Sequence, residues 1–132
     1  MLAHIAIYTG DLERSRAFYA KYFGGEANAL YHNPNTGLRT YFLRWRGGAR
    51  LELMQRPGLA PGADGPHLGY AHMAFELPDR GAVDALTERL RADGHPVLSG
   101  PRVTGDGYYE SCVADPDGNP VELVARRRDS VV

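Results

Sequence analysis

A single cysteine, Cys112, is all that the 132 residues contain. It can form no intrachain disulfide and no thiolate metal cluster, so a stapled secreted scaffold and a zinc-finger module are both excluded, and a reducing compartment is expected. An excess of charge of one sign is also missing: 15 Lys and Arg stand against 16 Asp and Glu, a formal net charge of -1. Nothing here resembles the electrostatic footprint of a nucleic-acid binder, and a small molecule is the better-matched partner. No apolar stretch reaches membrane-spanning length, and Met1 to Tyr8 lacks the basic leader of a signal peptide before it runs into polar Thr9-Gly10-Asp11. The expectation is a soluble, cytoplasmic protein. Its 43% hydrophobic content is enough for one domain with a buried core and hardly enough for two independent ones.

The chain repeats itself. Ala3-His4-Ile5-Ala6-Ile7 matches Ala71-His72-Met73-Ala74-Phe75 at a separation of 68 residues, as Asp11 matches Asp79. Gly24 and Gly94 match at a separation of 70, as do Glu52 and Glu122. A single domain over residues 1 to 132 is therefore expected to hold module 1 (about 1 to 56), a linker (about 57 to 68) and module 2 (about 69 to 126). The linker is dense in Pro and Gly and has neither helical nor strand period. The tail Arg126-Arg127-Arg128-Asp129-Ser130 reads as a solvated terminus.

Each module opens on an alternating segment that reads as a strand, with Ala3, Ile5 and Ile7 opposed to His4, Ala6 and Tyr8. Asp11 and Asp79 then suit helix N-caps, and Gly24 and Gly94 suit left-handed C-caps. Ser15, Phe18, Tyr19, Tyr22 and Phe23 form a stripe at helical spacing, as do Val83, Leu86 and Leu90. Three extended segments follow each helix: Glu26 to Tyr31, Arg39 to Arg46 and Arg50 to Gln55, then Val97 to Leu98, Tyr108 to Ala114 and Val121 to Ala125. Gly47-Gly48 and Asp115-Pro116-Asp117-Gly118-Asn119 are turn chemistry that makes the last two strands of each module a hairpin. The fold class is α+β, with two tandem βαβββ modules.

Four side chains carry the chemistry. Glu52 alternates with Leu51 and Leu53, Glu122 alternates with Val121 and Leu123, and His4 and His72 oppose the apolar residues of their strands. With the apolar faces packed on helices, two imidazoles and two carboxylates share the other side of the sheet, a donor set that suits one divalent first-row metal ion. A lone His or Glu on a strand is ordinarily solvated or hydrogen-bonded; recurrence at matching places in both modules is what points to a metal. Tyr8, Arg56, Arg102 and Tyr108 lie near the ends of the site-bearing segments and are candidate contacts for an anionic substrate, with loop stabilisation as their alternative use. His32, His67 and His95 read as surface or loop histidines, and Cys112 as a buried small side chain. Gly105-Asp106-Gly107 precedes no helix and is not a phosphate loop.

The opening His-Ile-Ala-Ile, the helix Asp-Leu-Glu-Arg-Ser-Arg-Ala-Phe-Tyr behind it and the closing Asp-Pro-Asp-Gly-Asn-Pro-Val-Glu-Leu resemble the vicinal oxygen chelate superfamily over nearly the whole chain. The His4, Glu52, His72, Glu122 set is similar to the metal site of glyoxalase I. The resemblance implies a cupped mixed sheet around one Ni, Zn, Co, Mn or Fe ion. It also implies a hydroxy-carbonyl or hemithioacetal substrate, with proton transfer through a metal-held enediolate. Glu122 would be the general base, Glu52 its assistant, and the protein a homodimer. Where glyoxalase I has an Arg and an Asn that serve glutathione recognition, this chain has Tyr8 and Arg56. An extradiol dioxygenase or a fosfomycin-type thiol transferase shares the fold but uses two His and one Glu, and the additional Glu52 argues against both. A ligand-sequestering module like the bleomycin-binding members lacks the metal set altogether.

Overall fold

The structure is a computed structural model that describes residues 1–127. Arg128, Asp129 and Ser130 of the basic tail lie outside the described residues. Two compact units divide at Asp64 and Gly65, inside the Pro- and Gly-rich segment.

Unit 1 runs β1 (His4–Tyr8), α1 (Leu12–Phe23), β2 (Glu26–Ala27), β3 (Tyr31–His32), β4 (Arg39–Arg44) and β5 (Arg50–Gln55). Its sheet has the order β1-β5-β4-β2, with β3 also on β4. β1 and β5 are parallel, and the other pairings are antiparallel. Unit 2 repeats the plan with β6 (Met73–Leu77), α2 (Arg80–Ala92), β7 (Val97–Val103), β8 (Tyr109–Ala114) and β9 (Pro120–Ala125), ordered β6-β9-β8-β7 with β6 parallel to β9. The α+β expectation of two tandem modules holds.

Both helices start where an Asp side chain takes an orphan N–H: Asp11 accepts from Arg14 and Asp79 from Ala82. At the end of α1, Gly24 is left-handed (φ 71°), and the Gly25 N–H reaches back to the Tyr19 carbonyl, closing the carbonyls of the last turn. α2 ends one residue earlier than expected, with Asp93 at the cap and Gly94 (φ 86°) in the left-handed position after it.

One face of each sheet is covered by its helix. In unit 1 Leu43, Leu51 and Leu53 are buried with Leu12, Phe18, Tyr19 and Tyr22 of the helix, the Phe18 and Tyr19 rings meeting edge-on at 5.1 Å. In unit 2 Val113, Val121, Leu123 and Ala125 are buried with Val83 and Leu90. Each large aliphatic side chain so removed from water contributes about 1.5–3 kcal/mol. Phe23 and Leu86, placed in the stripes by spacing, are only half-buried, whereas Thr87 is fully buried. Hydroxyls cross both interfaces in pairs: Thr9 Oγ1 to Ser15 Oγ at 2.6 Å, and Thr87 Oγ1 to Ser111 Oγ at 2.7 Å.

Several strands differ from expectation. The segment Glu26 to Tyr31 is two short strands, because Asn28 takes the Phe42 N–H on its side-chain oxygen (2.8 Å) and so replaces the next backbone carbonyl of the ladder. β4 stops at Arg44, and Trp45 instead donates its Nε1–H to the Phe23 carbonyl and lies against Gly25, where a Cβ would come within 2.9 Å of the indole. β7 is longer than Val97 to Leu98, since the edge strand continues past Gly100-Pro101 through register shifts. Gly100 has φ 75°, and a Cβ there would lie 2.6 Å from the Glu110 carbonyl. β8 begins at Tyr109 rather than Tyr108, and β9 at Pro120.

The buried hydroxyl pair of unit 2 gives a stability test. Thr87→Val removes the hydroxyl that meets Ser111, which is 1% exposed, and is expected to cost about 1–3 kcal/mol by urea unfolding. Adding Ser111→Ala should return part of that loss. A double variant no more stable than the sum of the two single losses would show that the pair does not act as a unit.

Candidate functional site

The parallel pairing at one edge of each sheet positions the two His–Glu pairs. In unit 1, Glu52 of β5 stands opposite Ala6 of β1, so His4, two residues earlier on the same face, is its diagonal neighbour. In unit 2, Glu122 stands opposite Ala74, and His72 is again two residues earlier. His72 lies just before β6 rather than inside it, a difference from the strand expected around Ala71-His72. The separations are 4.0 Å from His4 Nε2 to Glu52 Oε1 and 3.2 Å from His72 Nε2 to Glu122 Oε2. The histidines are 40% and 42% exposed and the glutamates 17% and 19%, so all four are reachable on faces away from the buried Leu51, Leu53, Val121 and Leu123. Among the described residues, no three His, Cys, Asp or Glu side chains are gathered as a metal-holding group. Each pair is two ligand-type side chains within its own unit.

The neighbours of the two pairs differ. In unit 1, Phe42 is cross-strand from Glu52 and meets the His4 imidazole edge-on at 5.2 Å. The Arg50 guanidinium lies over the Phe42 ring, 4.6 Å from its centre. In unit 2, the residue cross-strand from Glu122 is Cys112, half-buried on this polar face rather than in the core. Burial, and then the Glu122 charge, push its thiol upward, so it stays protonated at neutral pH. Two residues along β8, Glu110 shares a hydrogen bond with Glu122, and its carboxyl is raised first by burial and then by the Glu122 charge.

Glu110, Phe42 and Arg50 were not singled out from sequence. For Glu110 a signal existed: the hairpin around Asp115 pairs Cys112 with Glu122 and Glu110 with Val124, which puts Glu110 on the Glu122 face. Of the four substrate-contact candidates, Tyr8 and Arg56 are together, the guanidinium 5.5 Å above the ring, at the end of β1 and on the His4 face by alternation. Arg102 stands opposite Glu110 on β7, and Tyr108 instead receives Arg127 at 5.0 Å. His32 is in strand β3 rather than a loop, and exposed; His67 is exposed, and His95 half-buried. Thr104 to Tyr108, with Gly105-Asp106-Gly107, is a hydrogen-bonded turn between β7 and β8.

The folds of the two units and the sequence agree in class: the profile of the Glyoxalase/Bleomycin resistance protein/Dioxygenase superfamily matches residues 1–123, and the chain belongs to that superfamily. It is 33% identical to the uncharacterized protein YqjT of Bacillus subtilis, over 92% of this chain and 96% of that one. It is 30% identical to the lactoylglutathione lyase of Haemophilus influenzae, over 96% and 93% of the two chains. Among solved structures, the trypanothione-dependent glyoxalase I of Leishmania major matches with TM-score 0.76 and 26% identity over 95% of this chain and 86% of that one.

The raised Glu110 carboxyl sets a pH dependence. Because its folded pKa lies above its unfolded one, its contribution favours folding below the ordinary carboxylate value and is lost as pH rises through the raised value. With chelator present, Glu110→Gln should therefore gain stability over the parent as pH goes from about 4 to about 7. A difference in urea midpoint that does not change with pH would refute this.

Proposed function

We propose that the protein is a metal-dependent lyase or isomerase of the glyoxalase I kind, in which His4, Glu52, His72 and Glu122 hold one divalent ion, Ni, Zn, Co, Mn or Fe. The observation that carries the reading is the His–Glu pair built twice at the same parallel register, with Glu52 opposite Ala6 and Glu122 opposite Ala74. One pair offers one imidazole and one carboxylate, fewer ligands than a protein site for such ions ordinarily supplies. Two pairs give four, contributed by one chain or by two copies in a homodimer. Neutral imidazole and carboxylate suit these ions, and no thiolate is required.

When bound, the ion would act as a Lewis acid that lowers the pKa of a carbon acid next to a carbonyl. Glu122 is the general base that takes the proton from one carbon and returns it to the adjacent one, and Glu52 assists. Cys112, held protonated beside Glu122, does not compete as a nucleophile. The substrate class is a hydroxy-carbonyl compound or a hemithioacetal, taken up in the cytoplasm. Arg56 on the Tyr8 ring is the contact best prepared for an anionic group, because the aromatic face fixes the guanidinium while leaving its N–H fork available. Arg102 and Tyr108 are further candidate contacts.

Protein purified without chelator is expected to carry stoichiometric metal by elemental analysis, and His4→Ala and His72→Ala are each expected to weaken metal binding at least about tenfold. Glu122→Gln should slow solvent deuterium exchange at the substrate carbon by about 10²–10⁴. Protein that carries no metal and takes up none of Ni, Zn, Mn or Fe would favour a ligand-sequestering module, and exchange retained in Glu122→Gln would remove Glu122 as the base. Catechol cleavage under oxygen by iron-loaded protein would replace the lyase reading with a dioxygenase.

A further inference from the structure

The two units differ at one corner, where the first strand turns into the helix. In unit 1 this corner is plugged. Gln55, the last residue of β5, accepts the Leu12 N–H on its Oε1 at 3.0 Å and donates its Nε2 to the Gly10 carbonyl at 2.9 Å. Leu12 beneath it is 1% exposed. In unit 2 the residue 70 positions after Gln55 is Ala125, and the residue 68 positions after Leu12 is Arg80. Ala125 has no side chain to reach across, and the corner is a cleft of about 700 Å³ lined by Pro78, Asp79, Arg80, Tyr109, Arg126 and Arg127, among others.

Three guanidinium groups line the cleft, with Glu76 beside Arg126, Asp84 on the Tyr109 hydroxyl and Asp106 near Arg127. Asp79, the one carboxylate among the lining residues, has its Oδ1 engaged by the Ala82 N–H at 2.8 Å, so the start of α2 is already capped from within. Arg80 lies 5.0 Å from the Tyr109 ring, whose hydroxyl is held by Asp84, and Arg127 lies 5.0 Å from the Tyr108 ring. Aromatic faces thus order two of the three guanidinium groups and lower the entropy lost on binding an anion. Arg126 donates its Nε to Glu76 at 2.8 Å, a bond that uses one of its five N–H groups. Ala125 and Tyr109, which line the cleft, alternate with Glu122 and Glu110 along their strands and lie on the helix side of the sheet, so the cleft is on the opposite face from the His72–Glu122 pair.

We propose that this arginine-lined cleft of unit 2 is a second binding site, for a small molecule that carries a phosphate group. Guanidinium forks match phosphate oxygens in pairs, which favours phosphate over a halide or a single carboxylate. The volume exceeds what a bare anion needs and falls within the range of small-molecule pockets, while the Tyr109 ring and Pro78 provide apolar surface for an organic part. Ala125 in place of a glutamine is the sequence feature that opens the site.

The test is calorimetric titration of the full chain at fixed ionic strength with inorganic phosphate, glucose 6-phosphate and glucose. Either phosphate or both should bind at one site per chain, and glucose should not. Arg80→Ala should weaken binding at least about tenfold. Ala125→Gln, which installs the plug of unit 1, should do the same with the circular dichroism spectrum unchanged; if that variant does not fold, the exposed Arg80→Ala decides. No saturable binding of either phosphate at up to about 5 mM would overturn the proposal, and so would affinity unchanged in Arg80→Ala. Neither outcome bears on the metal reading, because the titration requires no metal and no turnover.

Discussion

A parallel pair of strands cannot be closed by a tight turn, and each unit is organised around one such pair. β1 beside β5, and β6 beside β9, place the first strand of a unit next to its last. The chain must therefore leave the first strand by a crossover, and the helix is that crossover. Once α1 or α2 packs on the sheet, one face of the parallel pair is dry and the other is open. Alternation then does the sorting: Leu51 and Leu53 go under the helix, and Glu52 between them cannot. The imidazole two residues before the pairing partner of that Glu falls on the same side. A polar pair opposite the helix follows from the pairing itself, which is why it recurs.

Repetition of the scaffold leaves freedom at positions the scaffold does not use. Cross-strand from Glu52 is Phe42, whereas cross-strand from Glu122 is Cys112. Both lie on the open face, away from the helix interface. The corner before each helix is also free to vary, provided the first turn is capped. Asp11 and Asp79 secure the caps in both units, so Gln55 can be lost to Ala125 without loss of the helix start. Divergence is thus concentrated where water or a ligand can replace the missing side chain, and the hydroxyl pairs Thr9–Ser15 and Thr87–Ser111 show the complementary behaviour inside, where each buried donor has kept a partner.

The legibility of each feature in the sequence follows from the range of the interaction behind it. Caps, turns and alternation are local, and so Asp11, Asp79, Gly24, the Asp115 hairpin and the facing of Glu52 and Glu122 could be read directly. Phe23 and Leu86 were placed in the buried stripes by spacing, but neither is fully covered, because how much of a stripe is buried depends on the sheet beneath it. Asn28 interrupts a strand through a side-chain bond to Phe42, fourteen residues away, and no local pattern announces it. The place of Glu110 comes from register across a hairpin and the cleft at Ala125 from a short side chain, and neither is a local pattern. The pairing of Tyr8 with Arg56 is closer to hand, since Tyr8 ends β1, Arg56 follows β5, and these strands lie side by side.

The surroundings of the two His–Glu pairs differ in charge and in shape. On the open face of unit 1 the groups near the pair are Phe42, Arg50, Tyr8 and Arg56: two aromatic rings, each with a guanidinium over it. On the open face of unit 2 they are Cys112, Glu110 and, opposite Glu110, Arg102. The first set is aromatic and cationic, and the second is acidic and hydrogen-bonding, with the Glu110 carboxyl raised by burial and then by the Glu122 charge. The two carboxylates are held by the same register and the same alternation, so any difference between Glu52 and Glu122 comes from the neighbours of each.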